Sequence, residues 1–234
     1  MSTSVIVPAA GSGVRLGENR PKAFVDLGGG RSILWHTVSA ICTYSADNWF
    51  DLDRIIVVVP ADLMVAARSE AQRGADEAGR GTEIVVVPGG AERSDSVRAG
   101  LAQATGDFVL VHDAARPFTP AGVFERVLEA LRDGHPVVVP GLPVVDTLKR
   151  VDETPRVVQT VDRSVLRAIQ TPQGFGADAL ARAYSQAGDT ATDDAGLAER
   201  AGLPVYVVDG DPLGFKITTP WDLRLARTIA KGLD

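Results

Sequence analysis

The chain has 234 residues, 45% of them hydrophobic and 23% charged, and its 24 Lys and Arg against 30 Asp and Glu leave a net charge of −6. This composition excludes intrinsic disorder for the bulk of the chain, and the acidic balance argues against a nucleic-acid partner, which requires a broad basic face for counterion release. No apolar run reaches the roughly 18 residues of a membrane span, Met1 to Pro8 lacks the basic flank of a signal peptide, and Cys42 is the only cysteine, so the expectation is a cytoplasmic protein with no membrane partner, no disulfide and no cysteine-rich metal site.

Four β-branched runs end in proline: Val5 to Val7 before Pro8, Ile55 to Val59 before Pro60, Ile84 to Val87 before Pro88, and Val137 to Val139 before Pro140. Phe108 to Val111 makes a fifth. Runs that are apolar on both faces suit strands of a parallel sheet covered by helices, and proline stops each one. Helical spacing fills the intervals at Ile33 to Thr43, Asp62 to Ala78, Ser94 to Ala104 and Pro120 to Arg132. In the last of these Val123, Val127, Leu128 and Leu131 share a face, and Thr119-Pro120 reads as an N-cap followed by the first helical residue. Right-handed crossovers then predict an α/β fold with a doubly wound, mostly parallel sheet.

After Pro140 the pattern changes. Pro143 to Val151 and Pro155 to Val161 read as two strands around Asp152-Glu153-Thr154, which predicts an antiparallel hairpin projecting over about 142–163. Helices are expected near Ser164 to Ile169, Ala177 to Gln186 and Asp193 to Ala201. A strand follows at Val205 to Val208, then a last helix from Pro220 capped by Thr219. The whole chain, 1–234, is expected to close as a single domain.

The stretch Pro8-Ala9-Ala10-Gly11-Ser12-Gly13-Val14-Arg15-Leu16-Gly17 is small and glycine-rich and leads to Pro21-Lys22. Such loops present backbone N–H groups to phosphate. A dinucleotide fingerprint fails because Leu16 stands where the third glycine belongs and no acid follows about 20 residues on; a P-loop fails for want of G-K-[ST]. Glycines with two cations, Arg15 and Lys22, suit a triphosphate, although a purely structural turn fits the loop equally well. Two more loops follow strand ends, Gly89 to Ser96 and His112 to Pro117, and all three fall on the carboxyl edge where open α/β sheets bind ligands. Asp113 could there face a ribose, a substrate hydroxyl or a metal, or simply pair with Arg116. His36, His112 and His135 have no ligand partners at zinc spacing, so no protein-built metal site is expected.

These motifs carry a resemblance. P-A-A-G-S-G-x-R-L with Pro21-Lys22, then Gly89-Gly90-x-x-Arg93-x-x-Ser96-Val97, then Val111-His112-Asp113-Ala114-Ala115-Arg116-Pro117 resemble the 2-C-methyl-D-erythritol 4-phosphate cytidylyltransferase family of the non-mevalonate isoprenoid pathway. The likeness continues through Asp146-Thr147-x-Lys149, Thr160 to Arg163, Thr171-Pro172-Gln173, Thr192-Asp193-Asp194 and Lys216-Ile217-Thr218, in order along nearly the whole chain. It implies a Rossmann-like nucleotidyltransferase sheet. The Ala9, Ala10, Gly11, Ser12 and Gly13 backbone, with Gly90 and Ser96, would hold the cytosine and triphosphate of CTP, and Asp113 and Ala114 would lie near the ribose. Arg15, Lys22 and Lys216 would be the catalytic cations. Asp113, Arg116, Thr171, Thr192 and Lys216 would line the sugar-phosphate site. The hairpin would interlock with a second copy in a homodimer, so that Thr147 and Arg163 serve the partner's site. Ala91 departs from the acidic residue that some members carry, which would leave base recognition there to backbone.

The implied reaction is attack by an oxygen of the 4-phosphate of methylerythritol phosphate on the α-phosphorus of CTP, expelling pyrophosphate. A phosphate nucleophile is already anionic and needs no general base, in keeping with the absence of an evident Ser/His/Asp or Cys/His constellation. Mg²⁺ would be held mainly through the CTP phosphates. A sugar-alcohol phosphate such as ribitol 5-phosphate remains an alternative acceptor, and a catalytically silent nucleotide-binding protein an alternative class.

Overall fold

The β-branched runs form the centre of the sheet because a strand buried on both faces needs apolar side chains on both. A computed structural model of the chain describes residues 1–11, 13, 16–47, 50–79, 81–90, 92–186 and 193–233. In chain order it contains β1 (Thr3–Pro8), β2 (Asp26–Gly28), β3 (Arg31–Ser32), α1 (Ile33–Ala46), β4 (Leu52–Val59), α2 (Met64–Glu77), β5 (Glu83–Pro88), α3 (Arg93–Leu101), β6 (Phe108–Val111) and α4 (Ala121–Arg132). Then come β7 (Val137–Pro143), β8 (Lys149–Val151), β9 (Val157–Thr160), β10 (Arg167–Ile169), β11 (Gln173–Gly176), α5 (Ala177–Gln186), α6 (Asp194–Arg200), β12 (Val205–Asp209) and α7 (Pro220–Lys231).

The main sheet has eight strands in the order β10-β7-β11-β6-β1-β4-β5, with β12 also paired to β7. The pairs β1–β4, β1–β6, β4–β5 and β12–β7 are parallel, while β11 lies antiparallel between β6 and β7. Successive residues of β1 point to opposite faces: Val5 and Val7 join Leu34 and Val38 of α1 and Ala67 and Ala71 of α2. Ile6 instead joins Val97 of α3, Leu180 of α5 and Ala198 of α6. The expected two-sided α/β sheet is therefore present, and its two helical layers arise directly from the period-2 geometry of strands.

Four details differ from expectation. Pro140 does not end its strand: β7 continues through it to Pro143. Ser164 to Ile169 is not helical: a 3₁₀ turn at Arg163–Val165 leads into β10, which pairs antiparallel with β7 through Arg167↔Pro143 to Ile169↔Gly141. A six-residue apolar spacing is too short to nucleate a helix against a sheet edge offering backbone partners. Thr119 does not cap α4; Pro120 stands at the N-cap without a side-chain cap, and the Thr119 hydroxyl donates to the Arg116 carbonyl at 3.2 Å. Finally, β11 reverses direction within the sheet. Its Gly174 permits this close insertion, since an added Cβ would meet Val127 Cγ1 of α4 at 2.4 Å.

The predicted hairpin is present as β8 paired antiparallel with β9, Lys149↔Thr160 to Val151↔Val157, and the residues of both strands are exposed. At the other end of the chain, α7 begins at the expected cap. Thr219 Oγ1 accepts from the Asp222 N–H at 3.2 Å, and the Asp222 carboxylate accepts from the Thr219 N–H at 2.7 Å. Leu223 and Ala226 of α7 pack with Leu27, Ile33, Phe118 and Ile217, so the C-terminal helix is anchored beside the first glycine-rich loop.

Candidate active site

The loops after β1, β5 and β6 leave the same edge of the sheet and enclose a cavity of about 570 Å³. From the first loop, Ala9, Ala10, Gly11 and Lys22 line it. Small residues let the chain turn sharply there: Ala9 N–H donates to Val58 O at 2.8 Å, and the Lys22 N–H returns to Gly11 O at 3.2 Å. Gly13 is not on the cavity wall but stands behind Lys22. Its φ is +70°, and an added Cβ would sit 3.0 Å from Lys22 Cβ, so glycine here satisfies both a left-handed backbone and a close approach.

From the second loop come Gly90, Ser96, Glu92 and Arg93. Side chains at the two glycines would collide with α3: a Cβ at Gly89 would approach Ser96 Oγ to 2.6 Å, and one at Gly90 would approach Asp95 Cβ to 2.3 Å. The glycine pair thus lays the loop directly against the first turn of the helix. The Asp95 carboxylate accepts from the Glu92 N–H at 3.3 Å and closes that turn.

The third loop supplies Asp113 and Ala114. A chain of hydrogen bonds sets the position of Asp113: its N–H donates to Thr171 Oγ1 at 3.1 Å, and Thr171 Oγ1 lies 3.0 Å from His112 Nδ1. His112 Nε2 lies 3.2 Å from the Arg116 carbonyl. Since a carbonyl only accepts, the proton belongs on Nε2, and Nδ1 accepts from the Thr171 hydroxyl. Burial pushes the imidazole pKa down to about 4, so His112 is neutral near pH 7.

Among the described residues, three cations converge on the Asp113 carboxylate. Lys216 Nζ is 2.8 Å from Oδ2, Arg116 Nε is 3.7 Å from Oδ2, and Arg93 Nη2 is 3.5 Å from Oδ1. Burial alone would raise its pKa, but Lys216 and Arg93, followed by Arg116, outweigh that cost and hold the carboxyl well below the usual carboxylate range. Lys216 reaches this point because the adjacent Ile217 N–H donates to Ala115 O at 2.9 Å, tying the segment before α7 to the third loop. Arg116 also donates to Gly214 O at 2.6 Å, bracing the same segment from below.

Thr171 is buried, with its hydroxyl engaged behind Asp113, and Arg116 is largely buried beside the Asp113 carboxylate; neither lines the cavity itself. Thr147 and Arg163 lie elsewhere, exposed at the base of the hairpin, where the Arg163 guanidinium donates to the Val145 carbonyl. Ser12, Arg15 and Thr192 lie outside the described residues. The site also contains an ion pair that the motif reading did not single out: Arg93 Nη2 is 2.7 Å from Oδ2 of Asp194 at the start of α6. Arg93 and Asp194 each stand within quoted motifs, but nothing in their spacing along the chain signals that they meet.

Among the described residues, no group of three or more His, Cys, Asp or Glu could hold a metal ion. Both Asp113 oxygens already face cations.

Residues 3–231 match the sequence profile of the 2-C-methyl-D-erythritol 4-phosphate cytidylyltransferases. A cytidylyltransferase of that name from Rhodococcus jostii is 52% identical over 227 residues, covering 97% of this chain and 94% of the relative. One from Nocardia farcinica is 53% identical over 230 residues with the same coverage, 97% and 94%. Among solved structures, the 2-C-methyl-D-erythritol 4-phosphate cytidylyltransferase of Thermus thermophilus superposes with a TM-score of 0.76 at 37% identity, covering 99% of this chain and all 100% of the other. The 4-diphosphocytidyl-2C-methyl-D-erythritol synthase of Anaerococcus prevotii does so with a TM-score of 0.80 at 28% identity and 98% of each chain.

Proposed function

The chain belongs to the 2-C-methyl-D-erythritol 4-phosphate cytidylyltransferase family, and from that premise we propose how its cavity carries the reaction. The activity joins CTP and 2-C-methyl-D-erythritol 4-phosphate, giving 4-diphosphocytidyl-2-C-methyl-D-erythritol and pyrophosphate. An oxygen of the substrate phosphate forms a bond to the α-phosphorus of CTP, and the bond from that phosphorus to the bridging oxygen breaks as pyrophosphate leaves.

The observation that carries the proposal is the convergence of Lys22, Lys216 and Asp113 on one cavity at the carboxyl ends of β1 and β6. The chemical difficulty is electrostatic, since a phosphate must approach a polyanion while charge spreads at phosphorus. Lys22 and Lys216, with Arg15 from the same glycine-rich loop, stabilise that charge. The Ala9, Ala10, Gly11 and Ser12 backbone, Gly90 and Ser96 hold the cytosine and triphosphate, Gly13 shapes that loop from behind Lys22, and Asp113 and Ala114 face the ribose. Arg116, Thr171, Thr192 and Lys216 complete the sugar-phosphate side, Thr171 by fixing the Asp113 backbone. No protein group is asked to remove a proton. His112, neutral and engaged through both ring nitrogens, is a brace of the third loop and not a base.

When bound, Mg²⁺ would be held through the triphosphate and would supply charge neutralisation at the leaving pyrophosphate. Residues 1–234 act as one nucleotidyltransferase domain in the cytoplasm, and no helix among the described residues is long and apolar enough to cross a membrane. Two copies pair through the hairpin, so that Thr147 and Arg163 reach the neighbouring site. Exposed Val145, Val151, Val157, Val158 and Val165 support that pairing, because an apolar hairpin of this kind gains from a partner surface.

Lys22→Ala tests the electrostatic role. The expected loss in kcat is about a hundredfold with unchanged far-UV circular dichroism and unchanged dimer mass. Turnover near that of the unsubstituted enzyme would contradict it.

A further inference from the structure

We propose that Arg93 is a positioning residue for the transfer reaction, acting through Asp113 while anchored by the buried carboxylate of Asp194. The inference rests on the reading of Asp113 as part of the substrate site. A single atom, Arg93 Nη2, faces both acids, 2.7 Å from Asp194 Oδ2 and 3.5 Å from Asp113 Oδ1. Asp194 is fully buried, and its other oxygen accepts from the Tyr184 hydroxyl at 2.5 Å. Tyr184 belongs to α5 and Asp194 to α6, so Arg93, which opens α3 on the cavity wall, is held by the neighbouring helices of its own layer.

The three cations around Asp113 are not equivalent. Lys216 is the most exposed of them, with 42% of its side chain accessible against 34% for Arg93 and 12% for Arg116, and it reaches Asp113 from an extended segment. An incoming phosphate competes with Asp113 for its ammonium. Arg116 touches only Oδ2 and is already committed to the Gly214 carbonyl. Among the described residues Arg93 is the cation that addresses Oδ1, and its tether to Asp194 keeps it in place when Lys216 turns to phosphate. It thereby keeps Asp113 oriented during the step in which Lys216 is released. A buried acid such as Asp194 costs stability unless paired, so its placement opposite Arg93 is explained by what it fixes at the cavity.

A double-mutant cycle separates this from a structural role. Arg93→Gln alone strands the Asp194 charge, so it is combined with Asp194→Asn, which removes both charges and leaves an amide oxygen for Tyr184. In the parent background Arg93→Gln/Asp194→Asn should lower kcat on the order of tenfold with CTP and methylerythritol phosphate. In an Asp113→Asn background the same pair of changes should cost nothing further, because the residue through which Arg93 acts is gone. Losses that multiply across the two backgrounds mean that Arg93 acts directly on substrate or on the fold, and overturn the inference. So do parental turnover of Arg93→Gln/Asp194→Asn and failure of that charge-free pair to fold. Asp113→Asn with parental turnover would instead overturn the assignment of Asp113 to the site.

Discussion

His112 shows how one side chain can matter to the site without meeting substrate. Its ring is buried against Phe124, with centroids 5.0 Å apart, and its two nitrogens connect the Arg116 carbonyl to the Thr171 hydroxyl that holds Asp113. Burial lowers its pKa from 6.5 to about 4. The unfolded chain therefore takes up this proton near pH 6.5 and the folded chain does not until about pH 4. The neutral ring's contribution is complete above pH 6.5 and declines by up to about 3 kcal/mol as the pH falls to 4. Asp113 works in a lower window. Its folded pKa is depressed, so its contribution persists above the ordinary 3.8 and is lost only as the pH falls below that value. Denaturant titrations at pH 4, 5, 6 and 7 should show stability falling through this range, with a shallower slope in His112→Gln. Equal slopes would mean that His112 is not buried as the neutral ring. The identity of Asp113, Lys22 and Lys216 as site candidates was legible because each lies in a motif, and Asp113 stands two residues past the end of β6. The tautomer of His112 was not legible, since it depends on Thr171 and Arg116 as neighbours in space.

At the scale of elements, the strands read best where burial on both faces forces β-branched runs, as in β1, β4 and β7. β11 was invisible for the opposite reason. Gln173-Gly174-Phe175-Gly176 contains two glycines and no apolar run, and it is a strand only because β6 and β7 offer it hydrogen bonds on both sides. β10 was concealed by apolar spacing that mimics a helix over six residues. The hairpin was legible because Asp152-Glu153-Thr154 interrupts two extended segments: Asp152 Oδ1 accepts from the Thr154 N–H at 3.0 Å and from the Arg156 N–H at 3.2 Å, closing the turn. The proposed pairing of two copies through this hairpin makes a prediction at this scale. A mixed dimer of Arg163→Ala and Lys22→Ala subunits, each parent homodimer being impaired, should regain about one working site, as measured by pyrophosphate release after subunit exchange is verified by mass. Exchange without recovery would show that Arg163 does not serve the neighbouring site.

Across the whole molecule, the fold brings distant segments to one edge of the sheet. The loop of β1 and the segment before α7 stand at opposite ends of the chain, yet a shared apolar cluster containing Leu16, Val25, Ile33, Ile217 and Leu223 holds them together beside the cavity. Lys22 and Lys216 come to line one cavity through this packing, and single-sequence spacing carries no sign of it. The motifs reveal which residues are involved, whereas the core determines that they meet. The most direct test of this account is Mg²⁺-dependent pyrophosphate release from CTP with 2-C-methyl-D-erythritol 4-phosphate, run beside ribitol 5-phosphate as acceptor and ATP, GTP and UTP as nucleotides. Turnover selective for CTP with methylerythritol phosphate is predicted. Turnover only with ribitol 5-phosphate, or CTP binding by a folded dimer that releases no pyrophosphate, would contradict it.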